Sequence, residues 1–139
     1  MMYTNNILLV AQQNVGRSQL NVITILKNAR STGVHVVCAQ EVKFLANGNP
    51  PSIYAFTSIV PNYYTGAKPR VVIYWRNNSP FKYQQINHLC DDPDIIVLSV
   101  TGPGLQEFKL VNIYNEKRYD EVIGEGHYTI ERSLQYLNI

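Results

Sequence analysis

Ile7-Leu8-Leu9-Val10-Ala11-Gln12, then a segment of changed period from Ser18, then Val34-His35-Val36-Val37-Cys38-Ala39-Gln40, is the stretch whose reading decides the fold. The first run is apolar, rich in strand formers and too short for a helix core, so it reads as a buried strand with Asn14 at its end. From Ser18 onward, Leu20, Ile23, Leu26, Lys27 and Ala29 recur every three or four residues. That spacing predicts an amphipathic helix capped by Ser18 and closed near Gly33. The last run is a second buried strand that delivers Glu41 at its end. Two parallel strands joined by a helix form a right-handed unit almost without exception, so both strands end at one sheet edge. Asn14 and Glu41 are expected side by side there, where open α/β sheets place their ligands.

Outward from this unit the chain turns to strands. Val42 to Pro51 is a polar loop broken by Gly48, Pro50 and Pro51, and Ile53 to Val60 is a strand ended by Pro61. Tyr63 to Pro69 is a loop offering aromatics and a base, and Arg70-Val71-Val72-Ile73-Tyr74-Trp75 is a strand. Phe81 to Leu89 has weaker, alternating strand character, and Asp91-Asp92-Pro93 makes a turn. Asp94 to Val100 and Glu107 to Tyr114 read as a hairpin around Gly102-Pro103-Gly104. Asn115 to Gly126 is charged and glycine-bearing, a loop, and Tyr128 to Leu137 has helical spacing. The fold class is α/β, a mixed sheet with flanking helices.

Composition bounds the function. The 139 residues suit a single domain, and a hydrophobic fraction of 45% is enough for a core. A net charge of +2 leaves any nucleic-acid surface to local clustering. Two cysteines, Cys38 in a strand and Cys90 in a polar turn, make no disulfide framework, so both read as reduced thiols in an intracellular protein. No apolar run approaches the roughly 20 residues of a membrane span.

Among residues that could carry chemistry, Glu41 stands first. A carboxylate ending a buried strand needs a partner or a cation, and its hard oxygens suit Mg²⁺; the plainer reading is an exposed Glu paired with Lys43 or Arg17. Asn14 could hold a phosphate or a metal-bound water, although asparagine also ends strands for turn reasons. Tyr114-Asn115 closes another strand and could point a phenol and an amide at the same place, where a core tyrosine with a surface hydroxyl is the commoner case. Arg17, Lys43, Lys68, Arg70, Lys117 and Arg118 fall in loops or at strand ends. A loop base is usually a solvated charge, but bases recurring beside Tyr63 and Tyr64 suit an edge that tracks phosphates and stacks bases. His35 lies in the second buried strand and reads as a core or strand-entry residue, and His88 and His127 are isolated from any Asp or Ser that would orient them.

These pieces resemble the first half of the endonuclease/exonuclease/phosphatase superfamily, and more narrowly the apurinic-like endonuclease domain of non-LTR retrotransposons. The matching residues are Gln13-Asn14-Val15 with Arg17-Ser18, Ala39-Gln40-Glu41, Val72-Ile73-Tyr74-Trp75-Arg76, and Val111-Asn112-Ile113-Tyr114-Asn115-Glu116. The resemblance implies half of a four-layer α/β sandwich. It places Asn14 and Glu41 in a site for Mg²⁺ (or Mn²⁺), with Tyr114 positioning the scissile phosphate. Arg17, Lys43, Tyr63, Tyr64, Lys68, Arg70 and Asn115 would line the DNA. The activity implied is nicking of target DNA before reverse transcription, in the nucleus. The sequence departs from the family in two respects. The Tyr-x-Pro of the family is Tyr114-Asn115-Glu116, and neither Asp-x-Asn nor Asp-His occurs. A truncated domain is therefore expected, binding the ion weakly and inactive alone. The alternatives are a phosphatase or phosphodiesterase of the same superfamily and a non-catalytic α/β interaction module. Strands apolar on successive positions expect cover on both faces. With helices on one face only, a second copy is expected on the other, a homodimer burying above about 1,000 Å².

Overall fold

The computed structural model describes residues 7–62, 68–86 and 92–114, together with the backbone of the strands Lys117–Asp120 and Glu125–Tyr128. The elements run β1 (Val10–Asn14), α1 (Gln19–Thr32), β2 (Val36–Gln40), β3 (Phe56–Ile59), β4 (Val71–Arg76), β5 (Lys82–Gln85), β6 (Ile95–Gly102), β7 (Leu105–Ile113), β8 (Lys117–Asp120) and β9 (Glu125–Tyr128). One sheet has the order β1-β2-β4-β3, a second β5-β6-β7, and β8 pairs with β9. β1 and β2 are parallel, with Asn14 opposite Gln40. Every other pairing is antiparallel.

The helix follows its cap chemistry. Ser18 accepts a hydrogen bond from the Asn21 N–H at 3.1 Å, and Gly33 turns left-handed (φ 79°) while its N–H donates to the Ala29 carbonyl. The buried stripe is Val22, Leu26 and Ala29. Leu20, expected on that stripe, is 73% exposed, because the face that meets the sheet is rotated past it. The strand expected over Ile7–Gln12 begins three residues later. Leu9 already accepts from the His35 and Val36 N–H groups (2.9 and 3.2 Å), but the ladder itself starts at Val10. β1 is not buried as expected either. It is an edge strand, with Val10, Gln12 and Asn14 on its open side.

Alternation along β2 and β4 explains their continuous apolar runs. Val37, Ala39, Val72 and Tyr74 face α1 and join Val22, Leu26 and Ala29 in one core. Val36, Cys38, Val71, Ile73 and Trp75 face the other way and meet Phe81, Ile96, Leu98 and Val100 of the β5–β7 layer. Both faces of the first sheet are thus covered within one chain, by the helix and by the second sheet. The face reserved for a second copy is filled intramolecularly, so the packing reason for a homodimer is gone. The second sheet's other side carries Ile95 and Val97, also buried, with Val111 and Ile113 packed against them. Burial pushes the Cys38 thiol up to about 12, an inert protonated group at neutral pH.

Asn112 stitches the sheets together. Its amide donates to the carbonyls of Ala39 (3.1 Å) and Val72 (2.9 Å), and its oxygen accepts from Gln40 Nε2 at 2.6 Å. Gln40 in turn accepts from Gln12. At 2% exposure, Asn112 is a buried polar group with its partners in place, and such groups fix one register over its neighbours. Asn115 to Gly126, read as a loop, contains β8 and the first residues of β9, and Tyr128 closes β9 rather than opening a helix. The remainder of that expected helix lies outside the described residues, as does Cys90.

Candidate active site

The carboxyl ends of β2 and β7 meet at one point. Glu41 directly follows β2 and Tyr114 directly follows β7, and the Tyr114 hydroxyl donates to Glu41 Oε1 at 2.9 Å. Residues 73 positions apart, on different sheets, are thereby joined at the edge where the two sheets open. Glu41 reaches this place in the left-handed region (φ 54°), and so does Arg17 (φ 62°), whose N–H donates to the Glu41 carbonyl at 2.7 Å. A side-chain-bearing residue there costs about 1–2 kcal/mol. Two such residues bonded to each other mark the strained corner of the fold.

Tyr114 is held from behind. Arg70, immediately before β4, lies with its guanidinium carbon 4.6 Å from the Tyr114 ring centroid. The same guanidinium makes a two-pronged bridge to Asp94, Nε to Oδ1 at 2.9 Å and Nη2 to Oδ2 at 2.7 Å. Asp94 is fully buried, its N–H accepted by Asp92 Oδ1, and its carbonyl accepts from the Tyr114 N–H at 2.9 Å. Asp94, Arg70, Tyr114 and Glu41 form one connected set. A planar fork on a carboxylate is the strong form of such a bond, and a cation over a ring face adds to it.

The other expected site residues divide into three groups. Asn14 is exposed and accepts from the Gly16 N–H at 2.9 Å, the local turn that asparagine favours at a strand end. It lines an open cleft of about 560 Å³ whose walls also include Gln40, Asn112 and Tyr114. Tyr114 therefore borders both Asn14's cleft and Glu41's carboxylate. Arg17, Lys43, Lys68 and Arg70 all line a second cavity of about 640 Å³ beside Glu41. Tyr63, Tyr64 and Asn115 lie outside the described residues.

Sequence reasoning missed Asp94, Gln40 and Asn112. Asn112 was visible in principle, since it opposes Ile96, which points into the core between the sheets. A polar residue at a core-facing position of an apolar strand announces a network. Asp94, the first residue of an expected strand, carried no such signal.

Among the described residues no three of His, Cys, Asp or Glu cluster, and no helix is long and apolar enough to cross a membrane. One carboxylate with a phenol on its Oε1 is too few charged donors for a caged Ca²⁺ or a structural Zn²⁺. It fits Mg²⁺, which keeps most of its waters and takes one or two carboxylates plus phosphate oxygens.

No protein-family model matches the chain, and no curated protein does. Among solved structures, the chain is similar to the endonuclease domain of TRAS1, a telomere-specific non-LTR retrotransposon. The identity is 18%, the TM-score 0.63, and the match covers 93% of this chain and 50% of that one. The chain is thus built on the fold of a retrotransposon endonuclease domain and spans about half the length of the one it matches.

Proposed function

We propose that the chain is the N-terminal half of a Mg²⁺-dependent DNA endonuclease domain, with Glu41 and Asn14 as its contribution to the metal site and Tyr114 as its phosphate-positioning group. The observation that carries this reading is the Tyr114–Glu41 hydrogen bond at the open edge of both sheets, next to a cavity lined by basic residues. A divalent ion bound there supplies charge neutralisation at a phosphoryl oxygen and activation of water. Glu41 offers the hard anionic oxygen that holds it. Tyr114, fixed by the Arg70 platform, presents its hydroxyl to a phosphate oxygen. Arg17, Lys43 and Lys68, all exposed, balance the charge of the strand that crosses the edge.

Hydrolysis also needs a group to take the proton of the attacking water. The 139 residues hold no Asp-x-Asn and no Asp-His from which to draw one. This half therefore binds ion and DNA without cleaving. Titration with Mn²⁺, followed by electron paramagnetic resonance, tests it. One weak site is expected, lost in Glu41→Gln and weakened in Tyr114→Phe; an unchanged titration in Glu41→Gln rules the metal role out. Supercoiled plasmid with Mg²⁺ or Mn²⁺ should stay unnicked. Nicking that copurifies with the protein and vanishes in Glu41→Ala would refute the claim of inactivity.

A further inference from the structure

Three side-chain amides run in a row beneath the candidate site. Gln12 of β1 donates through Nε2 to Gln40 Oε1 of β2, and Gln40 Nε2 donates to Asn112 Oδ1 of β7 at 2.6 Å. Asn112 Nδ2 then donates to the Ala39 and Val72 carbonyls at 3.1 and 2.9 Å. Ala39 and Val72 are direct partners in the β2–β4 ladder, so the row ends on both strands at one rung. Every donor points the same way along the row, an arrangement in which each bond polarises the next. Gln40 and Asn112 are 7% and 2% exposed, and the space between the sheets is otherwise packed by apolar residues such as Ile73, Ile96 and Leu98. Amides at that depth are costly unless each is bonded.

The row lies just behind all three expected site residues. Gln12 is two residues before Asn14, Gln40 one residue before Glu41, and Asn112 two residues before Tyr114. Apolar contact is non-directional and tolerates a slide of one sheet over the other. Hydrogen bonds of this length do not. The Tyr114 hydroxyl meets Glu41 Oε1 at 2.9 Å only where β7 stops at one height against β2. The Arg70–Asp94 bridge backs the Tyr114 ring, and the amide row fixes how far along the edge that ring stands.

We infer that Gln40 and Asn112, with Gln12 at the outer end, are positioning residues of the site: they hold β7 against β2 at the height where the Tyr114–Glu41 contact forms. The inference deepens the endonuclease reading, on which its bearing on metal and phosphate rests.

Tyrosine labelled with ¹³C at Cζ gives one NMR signal per phenol, each sensitive to what its hydroxyl bonds. The Tyr114 signal is the one missing in Tyr114→Phe, and Glu41→Ala shows where it moves when the carboxylate is gone. Asn112→Leu and Gln40→Met should each move it toward that position. Added to Glu41→Ala, either should move it no further, since both act on the same bond. Tyr74, whose hydroxyl donates to the Pro51 carbonyl at 2.7 Å in the helix-side core, is the control and should stay in place. Circular dichroism checks that each variant folds. If Asn112→Leu does not, Gln40→Met carries the test, because it leaves Asn112 on both carbonyls. A Tyr114 signal unmoved in a folded variant, or Tyr114 and Tyr74 signals that move together, overturns the inference. In a wild type that binds Mn²⁺, Asn112→Leu should weaken binding by about 10-fold, as loss of a group that orients a ligand does; an unmoved affinity overturns the inference as well. A wild type that binds no Mn²⁺ while the Tyr114 signal behaves as expected refutes the endonuclease reading and leaves the positioning role standing.

Discussion

Two arginines stand at opposite ends of the same strand, and they are used differently. Arg76, the last residue of β4, lies over the Phe56 ring at 5.3 Å and donates to the carbonyls of Val34 (2.8 Å) and Ala29 (2.6 Å). Arg70, just before β4, lies over the Tyr114 ring and bridges to the Asp94 side chain. The stacking is alike; the acceptors are not. Main-chain carbonyls at a helix C-terminus hold Arg76 as part of the frame, and its charge suits the negative end of α1. A carboxylate and a phenol hold Arg70, so its position is coupled to Tyr114 and through it to Glu41. One end of β4 closes the fold, and the other end supports the candidate chemistry.

The largest effect should come from breaking the Arg70 bridge. Arg70→Met leaves Asp94 buried without this guanidinium, and loss of one partner of such a pair costs about 3 kcal/mol. Urea denaturation measures it, and adding Asp94→Asn should recover part of the loss. Mn²⁺ affinity should fall as well, because Tyr114 loses its platform. A cost below about 1 kcal/mol would class the pair with solvent-screened surface bridges and undo the contrast.

Arg76→Met should cost somewhat less, about 2 kcal/mol, the range for charged hydrogen bonds to carbonyls. Here the Mn²⁺ titration should not move. A parallel loss of stability and metal affinity would mean that the two ends of β4 are not separate in function.

A third substitution works in the opposite direction. Arg17 is exposed, sits at φ 62° after Gly16 at φ 59°, and carries a side chain where glycine would be relaxed. Arg17→Gly should raise stability by up to about 1 kcal/mol while weakening DNA binding. Such a trade of stability against binding is expected where strain is kept for function. If Arg17→Gly is no more stable, the strain argument at this corner fails.

The strand–helix–strand unit was legible because its signals are local. Ser18 and Gly33 bracket the helix, and the continuous apolar run of β2 announces a strand covered on both faces. What covers the second face was not legible. β5 is Lys82-Tyr83-Gln84-Gln85, with little apolar alternation, so nothing in it reveals that its sheet packs on β2 and β4. A second copy was the expected remedy, and the chain's own strands supply it. The Glu41–Tyr114 bond was approached through the ends of strands, yet its support was hidden, since Arg70 and Asp94 are 24 residues apart and meet only after folding. The β8–β9 hairpin was hidden differently. Its residues are charged, with glycine inside β9, and propensity alone assigns them to a loop.

The smallest effect is a pH dependence at the framework end. His35 lies just before β2, its Nδ1 accepts from the Leu9 N–H at 3.0 Å, and its ring meets the Phe81 ring edge-on at 5.0 Å. Burial first, and the nearby Arg76 charge second, hold its pKa below the usual histidine value of 6.5. The neutral ring is the form that can accept from Leu9, so the folded state resists the proton more than the unfolded chain does. Stability from this group is therefore complete above pH 6.5 and is lost as pH falls from there through the lower folded-state value. The region that loosens first should be the start of β1, where Leu9 is tied to His35 and where Leu9 and Val10 are already 40% and 43% exposed. His35→Asn keeps a hydrogen-bond acceptor near Leu9 and cannot titrate. Denaturation midpoints of wild type and His35→Asn, compared between pH 7.5 and 5.0, isolate the contribution, because all other titrating groups are common to both. The wild type should lose more stability over that interval, with earlier amide exchange at Leu9 and Val10. Parallel curves would mean that this end of the sheet is indifferent to pH, and that any acid sensitivity arises elsewhere.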